Sequence, residues 1–188
     1  PVYSDAHASE VIPTPASCRR KRAPPMWTIV NEETVFSAKP YVEVTCQHVV
    51  TDSGVEVRDY YQVKMPDFAM ACALTPDGQV ITLWQYKHGS RRYGLTFPAG
   101  EFRNEQPAEA MRRELLEETG YEAEAVVDLG YYAVSGNQGC GNAYLYLMTG
   151  CRPVAEPDSG DLETMELRLM SIADVDAAVL RGDIAVLP

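Results

Sequence analysis

The stretch "FPAGEFRNEQPAEAMRRELLEETGY", from Phe97 to Tyr121, decides how this chain reads. Its second half carries the signals of a helix. Pro107 suits a first helical turn, where its missing N–H would have no partner, and Gly120 suits the C-terminal cap. Between them Ala110, Met111, Leu115 and Leu116 supply a partly apolar side. Glu114, Glu117 and Glu118 stand at i, i+3 and i+4, so they share one face with Cβ atoms about 5–6 Å apart. Two explanations fit such a face. Glutamate is a good helix former, and an exposed acidic surface paired with Arg112 and Arg113 is common. A carboxylate cluster is also the ligand set that a hard cation such as Mg²⁺ requires.

The rest of the chain bounds the choice. A length of 188 residues, 46% apolar and 23% charged, is that of a soluble globular protein with room for one ordinary core. A formal net charge of −11 argues against general affinity for nucleic acid or for an anionic membrane surface. It also means that a polyanionic substrate would need local cations, a metal, or both. Cys18, Cys46, Cys72, Cys140 and Cys151 are scattered and form no C-x-x-C pair, which fits reduced thiols and predicts a cytoplasmic location. No run of 18 apolar residues is present to span a membrane.

Residues 1–25 hold five prolines and the basic run "RRKR" (19–22), and read as a flexible tail. Residues 26–66 read as an N-terminal β extension, with "YVEVTCQHVV" (41–50) and "YYQVKM" (60–65) joined by a turn at Asp52–Gly54. Trp27 is expected to bury the N-terminal strand. The apolar run "FAMACAL" (68–74) predicts a buried strand, "TPDG" (75–78) a turn, and "QVITLWQYK" (79–87) the next strand. After the helix, 123–134 and 142–150 are strand-like, "LRLMS" (167–171) is another, and 172–184 has helical spacing that ends at Gly182. Strands before and after a helix, without regular βαβ alternation, predict an α+β domain over 67–188 with a mixed sheet.

Behind "PAG" and Glu105, the segment "RELLEETG" (113–120) resembles the Nudix box, G-x5-E-x7-R-E-U-x-E-E-x-G-U, where U is aliphatic. Every defined position from Glu105 onward fits except Tyr121, where an aliphatic residue is usual. Four residues, rather than five, separate Gly100 from Glu105. Upstream, "LWQYKHGSRRYGLTFPAG" is similar to the approach to the box in ADP-ribose pyrophosphatases and related nucleoside diphosphate-sugar hydrolases, with Lys87 replacing an arginine. Ser135 stands where ADP-ribose hydrolases often carry a proline.

The resemblance implies a Nudix fold, a mixed β-sheet sandwiched between helices with an N-terminal antiparallel strand extension. It implies a Mg²⁺- or Mn²⁺-dependent pyrophosphatase that cleaves a small nucleotide substrate, above all ADP-ribose or a related nucleotide sugar, and a homodimer. By the same resemblance the Ala99 carbonyl, Glu114 and Glu118 are metal ligands, with Glu117 shared or supporting. Arg113 and Glu105 form an internal pair that shapes the loop, and Gly100 and Gly120 support it. The catalytic group is Glu117, Glu118 and Arg113 with a base from a late loop, either Glu163 or Glu166. Glu163 is favoured, because Glu166 opens the alternating run "ELRL". Lys87, Arg91 and Arg92 are candidates for phosphate contact, or else plain surface cations. Two other readings stay open: a Nudix enzyme for dinucleoside polyphosphates or nucleoside triphosphates, and a Nudix-fold binding or regulatory protein without turnover.

Overall fold

In the computed structural model, which describes residues 26–162 and 164–186, the alternating and apolar runs become twelve strands among the described residues. The basic segment 1–25 lies outside the described residues, as does Glu163. The extension holds β1 (Thr28–Ala38), β2 (Val42–Val50) and β3 (Glu56–Lys64). There follow β4 (Phe68–Leu74), β5 (Val80–Lys87), β6 (Arg92–Thr96), β7 (Ala99–Glu101) and helix α1 (Pro107–Thr119). The chain then forms β8 (Tyr121–Glu122), β9 (Ala125–Ser135), β10 (Gly139–Thr149), β11 (Arg152–Pro153), β12 (Met165–Met170) and helix α2 (Ile172–Arg181).

Ten of these strands form one mixed sheet along the path β1-β2-β3-β10-β4-β5-β12, with β6 on β5, β7 on β4 and β9 on β10. Its parallel centre pairs Ala143–Met148 of β10 with Phe68–Ala73 of β4. β8 and β11 form a separate two-stranded sheet. The α+β architecture with a mixed sheet agrees with the reading of the sequence.

The packing shows why β4 suits its place. Ala69, Ala71 and Ala73 are fully buried on the face toward α1, and their small side chains let Met111 and Leu115 settle onto the sheet. Each such side chain contributes about 1.5–3 kcal/mol through apolar burial. Tyr146, Met148, Ile81 and Cys151 complete this core. α1 starts at Pro107 without a side-chain cap and ends at Gly120, whose φ of 75° is left-handed and whose N–H returns to the Leu116 carbonyl. α2 is capped by Ser171, which accepts from the Asp174 N–H at 3.1 Å. This second helix packs against β12 at the sheet's edge.

β1 escaped the strand pattern for a structural reason. Its register against β2 shifts between Ile29 and Asn31 and again between Thr34 and Phe36, so the two-residue alternation is broken twice. Trp27 does not bury the strand as expected. It is 48% exposed and meets the Tyr60 ring edge-on at 5.5 Å.

The extension joins the rest through the turn between β9 and β10. Val63 pairs with Gly139, and its N–H donates to the Gln138 carbonyl at 2.8 Å. Tyr60 Oη and Gln62 Nε2 both donate to the Asn137 carbonyl, at 3.0 and 2.6 Å.

Candidate metal-binding and active site

Pro98 ends the approach to the helix, and β7 then lies antiparallel on β4 with Ala99 opposite Met70 and Gly100 opposite Ala69. This lays β7 alongside α1. The Ala99 N–H donates to Glu118 Oε2 at 3.0 Å, across nineteen residues of chain. A Cβ built on Gly100 would stand 1.9 Å from the Glu114 carboxyl carbon and 2.2 and 2.3 Å from its oxygens. Only a residue without a side chain leaves that carboxylate its place. The glycine of the box is therefore present for space and not for backbone freedom.

Glu118 is 6% exposed. Burial pushes its carboxyl up to about 8, against the Ala99 hydrogen bond and the charge of Lys87, while Glu114 and Asp161 push the same way as burial. Glu114 is also raised, first by burial and then by the neighbouring Glu117 and Asp161, with Arg113 opposing. Arg113 is the internal cation of this face. Its Nη1 lies 2.8 Å from Glu114 Oε1 and 2.7 Å from Glu117 Oε2. Its Nη2 lies 2.8 Å from Glu105 Oε1. These partners, Glu105 foremost, hold the guanidinium firmly charged. The loop that is one residue short therefore still brings Glu105 to Arg113.

Gly120 shapes the far end. A Cβ there would lie 2.1 Å from the Ala155 carbonyl oxygen. The Gly120 carbonyl accepts from the N–H groups of Val154 and Ala155 at 2.9 and 3.2 Å, and the Asp158 N–H donates to the Glu117 carbonyl at 2.8 Å. This strap brings the acidic loop after β11 to the helix.

Asp161 belongs to that loop, and its charge is felt by both Glu114 and Glu118. The sequence reading passed over it for Glu163 and Glu166, although it lies in the same run "DSGDLETME". Glu166 has another employment. It grips Arg168 through two bonds of 3.0 Å, and Arg168 lies over the Trp84 ring.

The three expected phosphate cations part company. Lys87 is close enough to act on Glu118. Arg91 sits exposed on the turn between β5 and β6, with a φ of 54°. Arg92 donates to the Gly182 carbonyl at 3.2 Å, to the Ala185 carbonyl at 3.4 Å and to the Ile184 carbonyl. Its guanidinium thus holds the segment after α2 in place. That segment runs parallel to β6, with the Leu95 N–H donating to the Asp183 carbonyl at 2.8 Å and the Ala185 N–H to the Leu95 carbonyl at 3.1 Å.

Among the described residues, no three Asp, Glu, His or Cys side chains already converge as a preformed metal cage. The donor chemistry nevertheless fits a hard divalent cation. The donors are oxygens, and Glu118 is a buried carboxylate held by one N–H donor, with Lys87 the cation whose charge acts on it.

A helix that carries clustered carboxylates thus lies beside a side-chain-free position of a mixed sheet in an α+β domain. The chain belongs to the Nudix family: the NUDIX domain model matches residues 65–186. No curated protein sequence matches. Among solved structures, the crystal structure of ADP compounds hydrolase aligns with a TM-score of 0.72 at 21% identity, over 87% of this chain and 88% of that one. At that identity the likeness concerns the fold.

Proposed function

We propose that the protein is a metal-dependent Nudix pyrophosphatase that hydrolyses a nucleoside diphosphate joined to a second moiety, with ADP-ribose or a related nucleotide sugar as the leading substrate. The observation that carries this reading is the pairing of buried Glu118 with Ala99 beside a Glu114 that only Gly100 can accommodate. Glu114, Glu118 and the Ala99 carbonyl would hold the cation, Mg²⁺ or Mn²⁺, with Glu117 supporting. Such an ion supplies neutralisation of the diphosphate and acidifies a water.

The protein's own groups do the rest. Arg113 keeps Glu105, Glu114 and Glu117 in register. Lys87 offsets negative charge next to Glu118. An acid of the 156–163 loop, Asp161 or Glu163, takes the proton as water attacks phosphorus and the bridging P–O bond breaks. ADP-ribose would yield AMP and ribose 5-phosphate.

We further read residues 1–25 as a tail, 26–66 as an extension and 67–188 as the hydrolase domain. The family match beginning at residue 65 supports the second boundary. A homodimer is proposed because β1 exposes Ile29, Val30, Val35 and Phe36. No helix of the described residues is long and apolar enough to cross a membrane. A cytoplasmic location is proposed from the scattered cysteines, of which Cys46, Cys72, Cys140 and Cys151, those among the described residues, are free thiols.

A Mg²⁺-dependent screen of ADP-ribose, UDP-glucose, GDP-mannose, diadenosine polyphosphates and nucleoside triphosphates tests the reading. Turnover of a diphosphate-linked substrate, abolished in Glu118→Gln, is the expected result. Folded, metal-supplied protein inactive on all of them would overturn it in favour of a binding role. Asp161→Asn and Glu163→Gln assayed side by side identify the base.

A further inference from the structure

Tyr131, Tyr144, Ala69 and Gly100 lie in one line across β9, β10, β4 and β7. Tyr144 pairs with Tyr131 on one side and with Ala69 on the other, and Ala69 pairs with Gly100. The two tyrosine rings are stacked, with centroids 5.4 Å apart and planes inclined by 22°. Phe102, two residues beyond Gly100, meets the Tyr144 ring edge-on at 5.3 Å. Its N–H donates to the Asp67 carbonyl at 3.3 Å. Asp67 is itself fixed, because its Oδ1 accepts from the Asn142 N–H and side-chain amide at 2.8 and 3.1 Å. Phe102 is thus attached by backbone and by ring, and it packs against the core, whereas Arg103, Asn104, Glu105 and Gln106 are exposed.

This is the loop that is one residue short, with four residues between Gly100 and Glu105. Helix α1 begins at Pro107 with no side-chain cap to fix its entry. Glu105 lies three residues after Phe102, so the two Cα atoms stand at most about 11 Å apart. From there Glu105 must reach Arg113, whose Nη2 it meets at 2.8 Å and whose Nε lies 3.5 Å from its other oxygen. A group is held at such a contact by neighbours whose own positions are locked by packing. Between β7 and α1, Phe102 is the residue so locked.

We infer that Phe102 is a positioning residue: seated on the Tyr144–Tyr131 stack, it sets the course of the shortened loop and presents Glu105 to Arg113. Through that guanidinium it holds the carboxylate face in register, because Arg113 also meets Glu114 and Glu117. Without Glu105, the arginine fork rests on the carboxylates of the metal face alone and competes with the cation for their oxygens. The consequence for metal and turnover rests on the hydrolase reading above; the pairing of Glu105 with Arg113 does not.

Exchange of the Arg113 Nε–H with water, followed by NMR in metal-free protein, reads that pairing directly. Phe102→Leu should raise it severalfold, as should Glu105→Gln, and the double variant should add nothing to Glu105→Gln alone. Mn²⁺ binding, followed by loss of the free-ion EPR signal, should weaken about tenfold in Phe102→Leu. Here too the double variant should lose no more than Glu105→Gln. Phe102→Tyr keeps the ring and should return both readouts to wild-type values.

A side chain that merely fills the core would lower the Tm and leave Arg113 exchange unchanged, or would act additively with Glu105→Gln. Either result overturns the inference. Should Phe102→Leu fail to fold, Tyr144→Leu removes the seat from the other strand, and unchanged Arg113 exchange there overturns it equally. The expected Arg113 and Mn²⁺ responses in a protein that turns over no substrate would sink the hydrolase reading and leave the positioning role standing.

Discussion

The Ala99 N–H donates to Glu118 Oε2 at 3.0 Å, so the strand behind Pro98 and the centre of the carboxylate face are positioned by one bond. Glu118→Gln keeps the shape and removes the charge. We expect at least about a 100-fold loss of metal-dependent turnover in a steady-state assay, with the fold retained by circular dichroism.

The same residue sets a pH dependence. Its carboxyl rises from 4.5 to about 8 on folding, so the folded state binds the proton more tightly than the unfolded one. Stability from this group is complete below pH 4.5 and is lost as pH rises through about 8. In metal-free buffer, the Tm difference between Glu118→Gln and wild type should therefore grow in favour of the variant between those limits. A difference independent of pH would contradict the burial argument.

Gly100→Ala places a methyl group on the Glu114 carboxylate, at 1.9 Å from its carbon. A flexible side chain can swing away, so thermal stability should change little. The displaced ligand should weaken Mn²⁺ binding at least about tenfold, as titration by EPR would show.

Gly120→Ala acts in the opposite sense. Here the clash is with the backbone oxygen of Ala155 at 2.1 Å, and the φ is 75°. The left-handed backbone alone costs about 1–3 kcal/mol for a residue with a side chain. A lowered urea midpoint is expected, with loss of activity following loss of fold.

Arg92→Ala should be a stability variant. Its donors serve the carbonyls of Gly182, Ile184 and Ala185, and losing them costs about 1–2 kcal/mol. The Tm should fall by a few degrees while the KM stays near wild type. A selective rise in KM would restore it to the phosphate contacts.

Much of this was legible in the sequence, and the gaps have physical causes. The helix from Pro107 to Gly120 announced itself because proline, apolar spacing and glycine agree locally. β4 did so through an unbroken apolar run. β1 was obscured by two bulges, and β7 was too short at three residues to leave a pattern. The employment of Arg92 depends on a carbonyl cluster some ninety residues away, which no local spacing records. Asp161 was hidden for another reason: a loop acid shows its neighbours only once the strap from Gly120 to Val154 is closed.

Arg113 gathers Glu105, Glu114 and Glu117 around one guanidinium. The helix thus carries a tethered counter-ion of its own, ready before any metal arrives. On the reading proposed above, folding of the domain and loading of its metal would then be separate events, because the guanidinium already offsets the charge of these carboxylates.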